Sequence, residues 1–352
     1  MSERNNNKSV DKSKGRTVGS PVGGAVGSPV GGAVGSRSDT SGREPNNSYI
    51  GKLSNKYNQP GYYKYYGIAA AIIVVFIWSG WLIISKWGVT HSLTNRDILL
   101  LRFVTASTIV LPFLARYKLS EIAGLFRPQV ILVSLSVGVP YVWLSFAGLE
   151  VISTAQSGVL INGCFPIFTI LLFSFLLGNK PTWMQLVGIA LILGGNIMLI
   201  IDEGDAITFR YEQFFLLGAS LCMAIYTVGN ILWSIKLREI MIVAPVTNLI
   251  VILPLWLMHD SAIATSPIGE SLLQASYQGV LVSVIVLWLM GTALKYISGQ
   301  IFSLIMAMVP IIAAFLAFFI LKEPLTPAII AGALLCVLGI ISVNLFQKKI
   351  VK

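Results

Sequence analysis

The chain has 352 residues, of which 55% are hydrophobic and only 11% charged, with a formal net charge of +10. Soluble domains carry roughly 25% charged residues, so this composition excludes an ordinary soluble globule. The positive charge is concentrated in the N-terminal segment and in short loops, which excludes a nucleic-acid partner and implies attraction to a bilayer surface.

Residues 1–63 are rich in Gly, Ser, Asn and Lys and contain GSPVGGAV twice, at Gly19–Val26 and Gly27–Val34. Such a segment cannot bury enough apolar surface to offset its ordering entropy, so it is expected to be a disordered tail. No apolar stretch lies near Met1, and no cleavable signal peptide is expected. Tyr57, Tyr62, Tyr63, Tyr65 and Tyr66, with Lys56 and Lys64, suit the membrane–water interface before a first span.

The remainder is a series of apolar runs of about 20 residues, the length at which a helix crosses a hydrocarbon core of about 30 Å. Ten helices are expected: Tyr66–Trp87, Arg96–Ala115, Gln129–Leu149, Ile152–Leu177, Trp183–Ile201, Gln213–Ile235, Ile242–Met258, Leu272–Leu294, Ser298–Leu321 and Pro327–Phe346. With the tail in the cytoplasm, the inner loops hold Arg116, Lys118, Arg127, Lys180, Lys236, Arg238 and Lys295. The outer loops hold only Arg96, Arg210 and Lys322, as the positive-inside rule requires. Both termini are then cytoplasmic, in a plasma or inner membrane. Cys164, Cys222 and Cys336 all lie inside apolar runs and read as small buried hydrophobes.

The later part of the chain is written twice. Gln156, Pro166, Gly188 and Gly195 recur as Gln300, Pro310, Gly332 and Gly339, each 144 positions on, and Thr105 and Pro112 recur as Thr247 and Pro254, 142 positions on. Two halves are expected, residues 64–201 and 212–346, joined by a loop at 202–211 and followed by a short cytoplasmic tail, 347–352. Five helices per half is an odd number, so the second half must enter the membrane upside down. Inverted repeats place a pseudo-two-fold axis in the membrane plane and a solute site near the midplane. The expected fold class is therefore all-α integral membrane, ten helices in two inverted five-helix repeats.

FIWSGWLIISK at Phe76–Lys86, LLLRFVTAS at Leu99–Ser107, and the paired segments beginning LGNKPTWMQLVG and LKEPLTPAIIAG resemble the drug/metabolite transporter superfamily, in its EamA-type branch. The resemblance covers about Tyr66 to Phe346. Asn179 stands where the family pattern favours a glutamate, which Glu323 retains in the second half. Membership would imply a ten-helix carrier of small organic solutes. No His/Asp cluster or suitable Cys/His pair is expected at membrane depth, so neither an enzyme nor a cofactor binder is expected.

Polar and aromatic stripes at helical spacing mark the candidate pathway. They are Trp78, Trp81 and Ser85 in helix 1, Tyr141 in helix 3, Gln156 and Asn162 in helix 4, Tyr226 and Asn230 in helix 6, Trp288 in helix 8, and Gln300 in helix 9. Aromatic walls with a few amide groups suit a largely apolar solute, although the same small polar residues also pack membrane helices together. Gly188, Gly194, Gly195, Gly332 and Gly339 give helices 5 and 10 small-residue faces suited to scaffold packing or a homodimer.

Arg102 lies about two turns inside helix 2, where a charge costs roughly 2.5–3.5 kcal/mol and needs a partner or a function. Lys86, near the outer end of helix 1, is expected to extend its amine to the surface. No Asp or Glu is expected deep in a span, and His91 and His259 fall in loops. Facilitated transport or exchange is therefore expected over proton coupling through a buried acid, and Arg102 favours a solute with a carboxylate or phosphate, with amino-acid-like or other carboxylate-bearing solutes foremost. A nucleotide-sugar or organophosphate exchanger is the alternative, but would place more basic residues along its pathway; a receptor or scaffold would bind without flux.

Overall fold

The computed structural model describes residues 61–114, 118–178, 180–201 and 210–345, and these are helical with no strand among them. The expected tail through Pro60, Asn179, most of the 202–211 loop and residues 346–352 lie outside the described part. The helices are α1 (Gly61–Val89), α2 (Asn95–Leu114), α3 (Pro128–Leu149), α4 (Thr154–Leu177), α5 (Trp183–Ile201), α6 (Glu212–Leu232), α7 (Leu237–Leu257), α8 (Ile268–Tyr296), α9 (Gly299–Met306, Val309–Leu316 and Ala317–Leu321) and α10 (Pro327–Leu345). Nine helices among the described residues are long and apolar enough to cross a membrane. In α5 the qualifying apolar stretch is shorter, Trp183–Met198.

Several helices depart from the expected continuous rods. A short helix, Leu119–Leu125, occupies the loop before α3. In α3 the helix stops at Ser136 and restarts at Val139, because Pro140 near the new start has no N–H for the preceding turn. In α9 a similar interruption precedes Pro310. Helix α8 is wound as a π-helix over Ala275–Ile285. Helix α7 begins at Leu237, earlier than its apolar run, because Glu239 accepts from the Lys236 backbone N–H at 2.8 Å and caps the first turn.

The contact between α5 and α10 reveals how the halves are related. A Cβ built on Gly188 would lie 2.8 Å from the Gly339 carbonyl oxygen, and one on Gly195 would lie 2.5 Å from that of Gly332. Gly188 therefore meets the repeat-mate of Gly195, and Gly195 meets the repeat-mate of Gly188. This exchange requires the two helices to run antiparallel about a two-fold axis perpendicular to them, the arrangement of inverted repeats. The small-residue stripes are thus consumed within the chain, as close helix contacts require. A homodimer through these helices would have to use their other faces, where Leu193, Ile197, Leu334 and Leu338 are exposed.

Loops of one half also cap helices of the other. Glu323, after α9, accepts from the Thr154 backbone N–H at 2.8 Å and from its hydroxyl at 2.8 Å, closing the N-terminus of α4. The Asp97 and Glu239 pair shows the same logic at opposite ends of the bundle, 142 positions apart. Asp97 accepts from Thr94 N at 3.1 Å, just as Glu239 accepts from Lys236 N. Asp97 then takes bonds across the pseudo-symmetry from Trp256 Nε1 at 2.8 Å, Ser261 Oγ at 2.7 Å and Ala262 N at 3.1 Å, and is fully buried. Glu239 instead pairs with Arg127 at 3.0 Å, and the Arg127 side chain is 47% exposed.

A side chain at Gly339 would meet the Gly188 carbonyl oxygen at 2.6 Å, whereas one at Gly194 would meet nothing within 4 Å. Gly339→Val is expected to destabilise the protein by about 1–3 kcal/mol through overpacking. Gly194→Ala should be neutral or raise stability by up to about 1 kcal/mol. Thermal melting of the purified protein in detergent checks both.

Candidate functional site

A cavity of about 120 Å³ lies between the halves, lined by α1, α2, α3, α4, α6, α7, α8 and α9. Of the residues singled out from the sequence, Trp78, Trp81, Arg102, Tyr141, Asn162 and Tyr226 line it. Trp81 stacks on Tyr141 with ring centroids 5.6 Å apart, forming one aromatic wall. Asn162 donates to the Gly158 carbonyl in its own helix at 2.9 Å.

The other candidates lie off the cavity wall. Ser85 is fully buried behind it, bonded to Gln278. Gln156 is buried with neither side-chain polar atom partnered. Asn230 donates to the Tyr226 carbonyl at 2.7 Å. Trp288 is 62% exposed on the outside of α8. The side chain of Gln300 lies outside the described part. Lys86 reaches the Ile152 carbonyl at 3.0 Å, at the end of the bundle. Cys164 and Cys336 are free and buried, and Cys222 is free and half-buried.

Sequence reasoning missed the residue at the centre of the polar network, Gln278. Its Oε1 accepts from Arg102 Nη1 at 2.9 Å and from Trp81 Nε1 at 2.8 Å. Its Nε2 donates to Ser85 Oγ at 3.1 Å and Gln274 Oε1 at 3.3 Å, while Gln274 Nε2 donates to the Ile84 carbonyl at 2.9 Å. Guanidinium and indole N–H groups only donate, which fixes the amide orientation. Gln274, four residues earlier, lies on the same face of α8, so the pair carried a periodic signal that was not taken up. The adjacent glycine matters as well: a Cβ on Gly279 would lie 2.5 Å from that of Thr105, so α8 approaches α2 closely enough for Gln278 to reach Arg102.

Arg102 is 8% exposed, and its Nε has no hydrogen-bond partner. Gln278 supplies a neutral acceptor and no charge. The repeat-mate of Arg102 on the facing helix, 142 positions on, is Ala244, which also lines the cavity. The site is therefore pseudo-symmetric in shape but carries a cation on one side only. No group of His, Cys, Asp and Glu suited to holding a metal occurs among the described residues.

The break in α3 contributes Val137 and Gly138 to the wall. Asn248 of α7 repairs it, accepting from the Val139 N–H at 2.6 Å and donating to the Ser134 carbonyl at 3.0 Å. Any Cβ on Gly138 would collide with that amide, its nearest atom at 1.9 Å. A broken helix beside a cavity, with its freed backbone groups satisfied by a neighbour, is a feature that lines solute sites in membrane carriers.

Comparison with known proteins gives a consistent family. The EamA-like transporter family matches residues 65–201 and again residues 210–345. A protein named as a probable terminal-alkyne amino-acid exporter, from Streptantibioticus cattleyicolor, is 25% identical over 197 residues, spanning 55% of this chain and 66% of that protein, just under two thirds of its length. The uncharacterized transporter YcxC of Bacillus subtilis is 25% identical over 224 residues, spanning 60% of this chain and 71% of its own. A crystal structure with 18% sequence identity aligns with a TM-score of 0.55, covering 79% of this chain and 96% of that one, which supports the fold.

Asn248→Leu would leave the Val139 N–H and the Ser134 carbonyl unpaired in the interior. The expected cost is about 1–3 kcal/mol, read as a lower melting temperature in detergent. Unchanged stability would show that the α3 break does not depend on Asn248.

Proposed function

The chain belongs to the EamA-like transporter family, and from that premise we propose that it carries small carboxylate-bearing solutes by alternating access around the cavity between its halves. It is a multi-pass membrane transporter of small molecules rather than an enzyme. The observation that carries the finer reading is Arg102, a buried guanidinium lining an aromatic cavity with only a neutral amide as its hydrogen-bonded acceptor. A solute carboxylate would compensate that charge by charge-assisted pairing, while Trp78, Trp81, Tyr141 and Tyr226 cover an apolar body. The relative named as an amino-acid exporter supports the same solute class. Among the described residues the charged lining consists of Arg102 alone, which favours this reading over a nucleotide-sugar or organophosphate exchanger, whose cargo would carry several negative charges.

The loop charges support cytoplasmic termini in a plasma or inner membrane. Asp97 is buried, but it lies in the first turn of α2 and is held by donors from both halves. It is not among the residues lining the cavity. The mechanism proposed is accordingly facilitated transport or exchange, with no acid in the cavity wall to relay protons.

Arg102→Ala is expected to reduce uptake of carboxylate solutes into proteoliposomes at least tenfold while changing uptake of neutral analogues only a few-fold. Equal losses would count against the anion reading. Uptake by the unaltered protein should persist without an imposed pH gradient, and strict dependence on that gradient would end the uncoupled mechanism.

A further inference from the structure

We infer that Gln278 is a specificity-determining residue: by meeting Arg102 with a neutral oxygen, it leaves the guanidinium charge to be compensated by cargo. This rests on the reading of Arg102 as the partner of a solute anion. Gln278 is fully buried, and each polar atom of its amide has two partners. The oxygen turned toward Arg102 also holds Trp81, so one atom orients both the charge and the aromatic wall of the cavity. It is carried on the π-helical segment of α8, where Ser283 Oγ donates to the Gln278 carbonyl at 2.7 Å, five residues back, and so bonds across the widened turn.

Glutamate has nearly the same shape as glutamine. At position 278 it would give Arg102 a charged partner within the protein, and the cavity would present a closed ion pair in place of a free cation. The remaining neighbours tolerate that oxygen unequally. Ser85 can donate to it, but the Gln274 oxygen now facing the amide nitrogen would have to turn away. A solute carboxylate would then compete with a resident one for the same guanidinium, while a neutral solute would lose nothing. Leucine at 278 is the complementary change. It leaves the charge uncompensated but removes the oxygen that aims it.

The test uses the full-length protein purified in detergent, with phenylacetate and phenylacetamide as matched charged and neutral probes, and affinities taken from ligand-induced shifts in melting temperature. The unaltered protein is expected to prefer phenylacetate. Gln278→Glu should abolish that preference, weakening phenylacetate at least tenfold and leaving phenylacetamide within about threefold. Gln278→Leu should reduce the preference without abolishing it. A preference unchanged in both variants, or equal loss of both probes, would overturn the role of Gln278. If Gln278→Glu does not fold, the ratio measured for Gln278→Leu decides by the same criterion. If the unaltered protein shows no preference, or Arg102→Ala leaves the preference intact, the anion reading itself fails. That outcome is distinct from Arg102→Ala abolishing the preference while both Gln278 variants retain it.

Discussion

A guanidinium enclosed by a bilayer cannot shed its charge and must find acceptors among its neighbours. Arg102 finds the Gln278 oxygen at 2.9 Å, and the rest of the centre is arranged around that bond. Gly279 lets α8 lie against α2 so that the bond can form. The same oxygen holds Trp81, and Trp81 stacks on Tyr141 from α3. Ser85 and Gln274 satisfy the amide nitrogen, so no polar group of Gln278 is left over. One buried cation thus ties α1, α2, α3 and α8 into a single polar and aromatic unit at the seam between the halves.

The seam is symmetric where packing alone decides and asymmetric where chemistry does. Between α5 and α10 the glycines exchange partners in register, and neither helix lines the cavity. At the cavity, Arg102 on one half faces the alanine at the equivalent position of the other. The two walls are repeat copies, and only one of them carries a charge.

Much of this was legible in the sequence because membranes impose simple rules. Apolar runs of spanning length located the helices, and the repeats at Gly188, Gly195, Gly332 and Gly339 marked small-residue faces on α5 and α10, though not that these faces meet each other. Spacing of 3.6 residues per turn put Trp78, Trp81, Tyr141 and Tyr226 on faces that turn toward the cavity. It failed at Trp288, which lies on the α-helical part of α8 beyond the π-wound segment and is turned outward, while Val286 and Leu287 line the cavity. It missed Gln278 even though Gln274 stands one turn before it, because the two amides were not read as a stripe. Nor did it anticipate that Asn248 would close the gap in α3, since that bond joins residues more than a hundred positions apart.

The two capping acids at opposite ends of the bundle have unequal surroundings, and the inequality governs how each responds to dissolved salt. Arg127 and Glu239 meet at the surface, where mobile counter-ions at physiological ionic strength screen charges over about 8 Å. Asp97 is sealed from water and held mainly by neutral donors, out of reach of that screening. Added salt would therefore weaken the Arg127–Glu239 contact and leave the contacts of Asp97 largely unchanged.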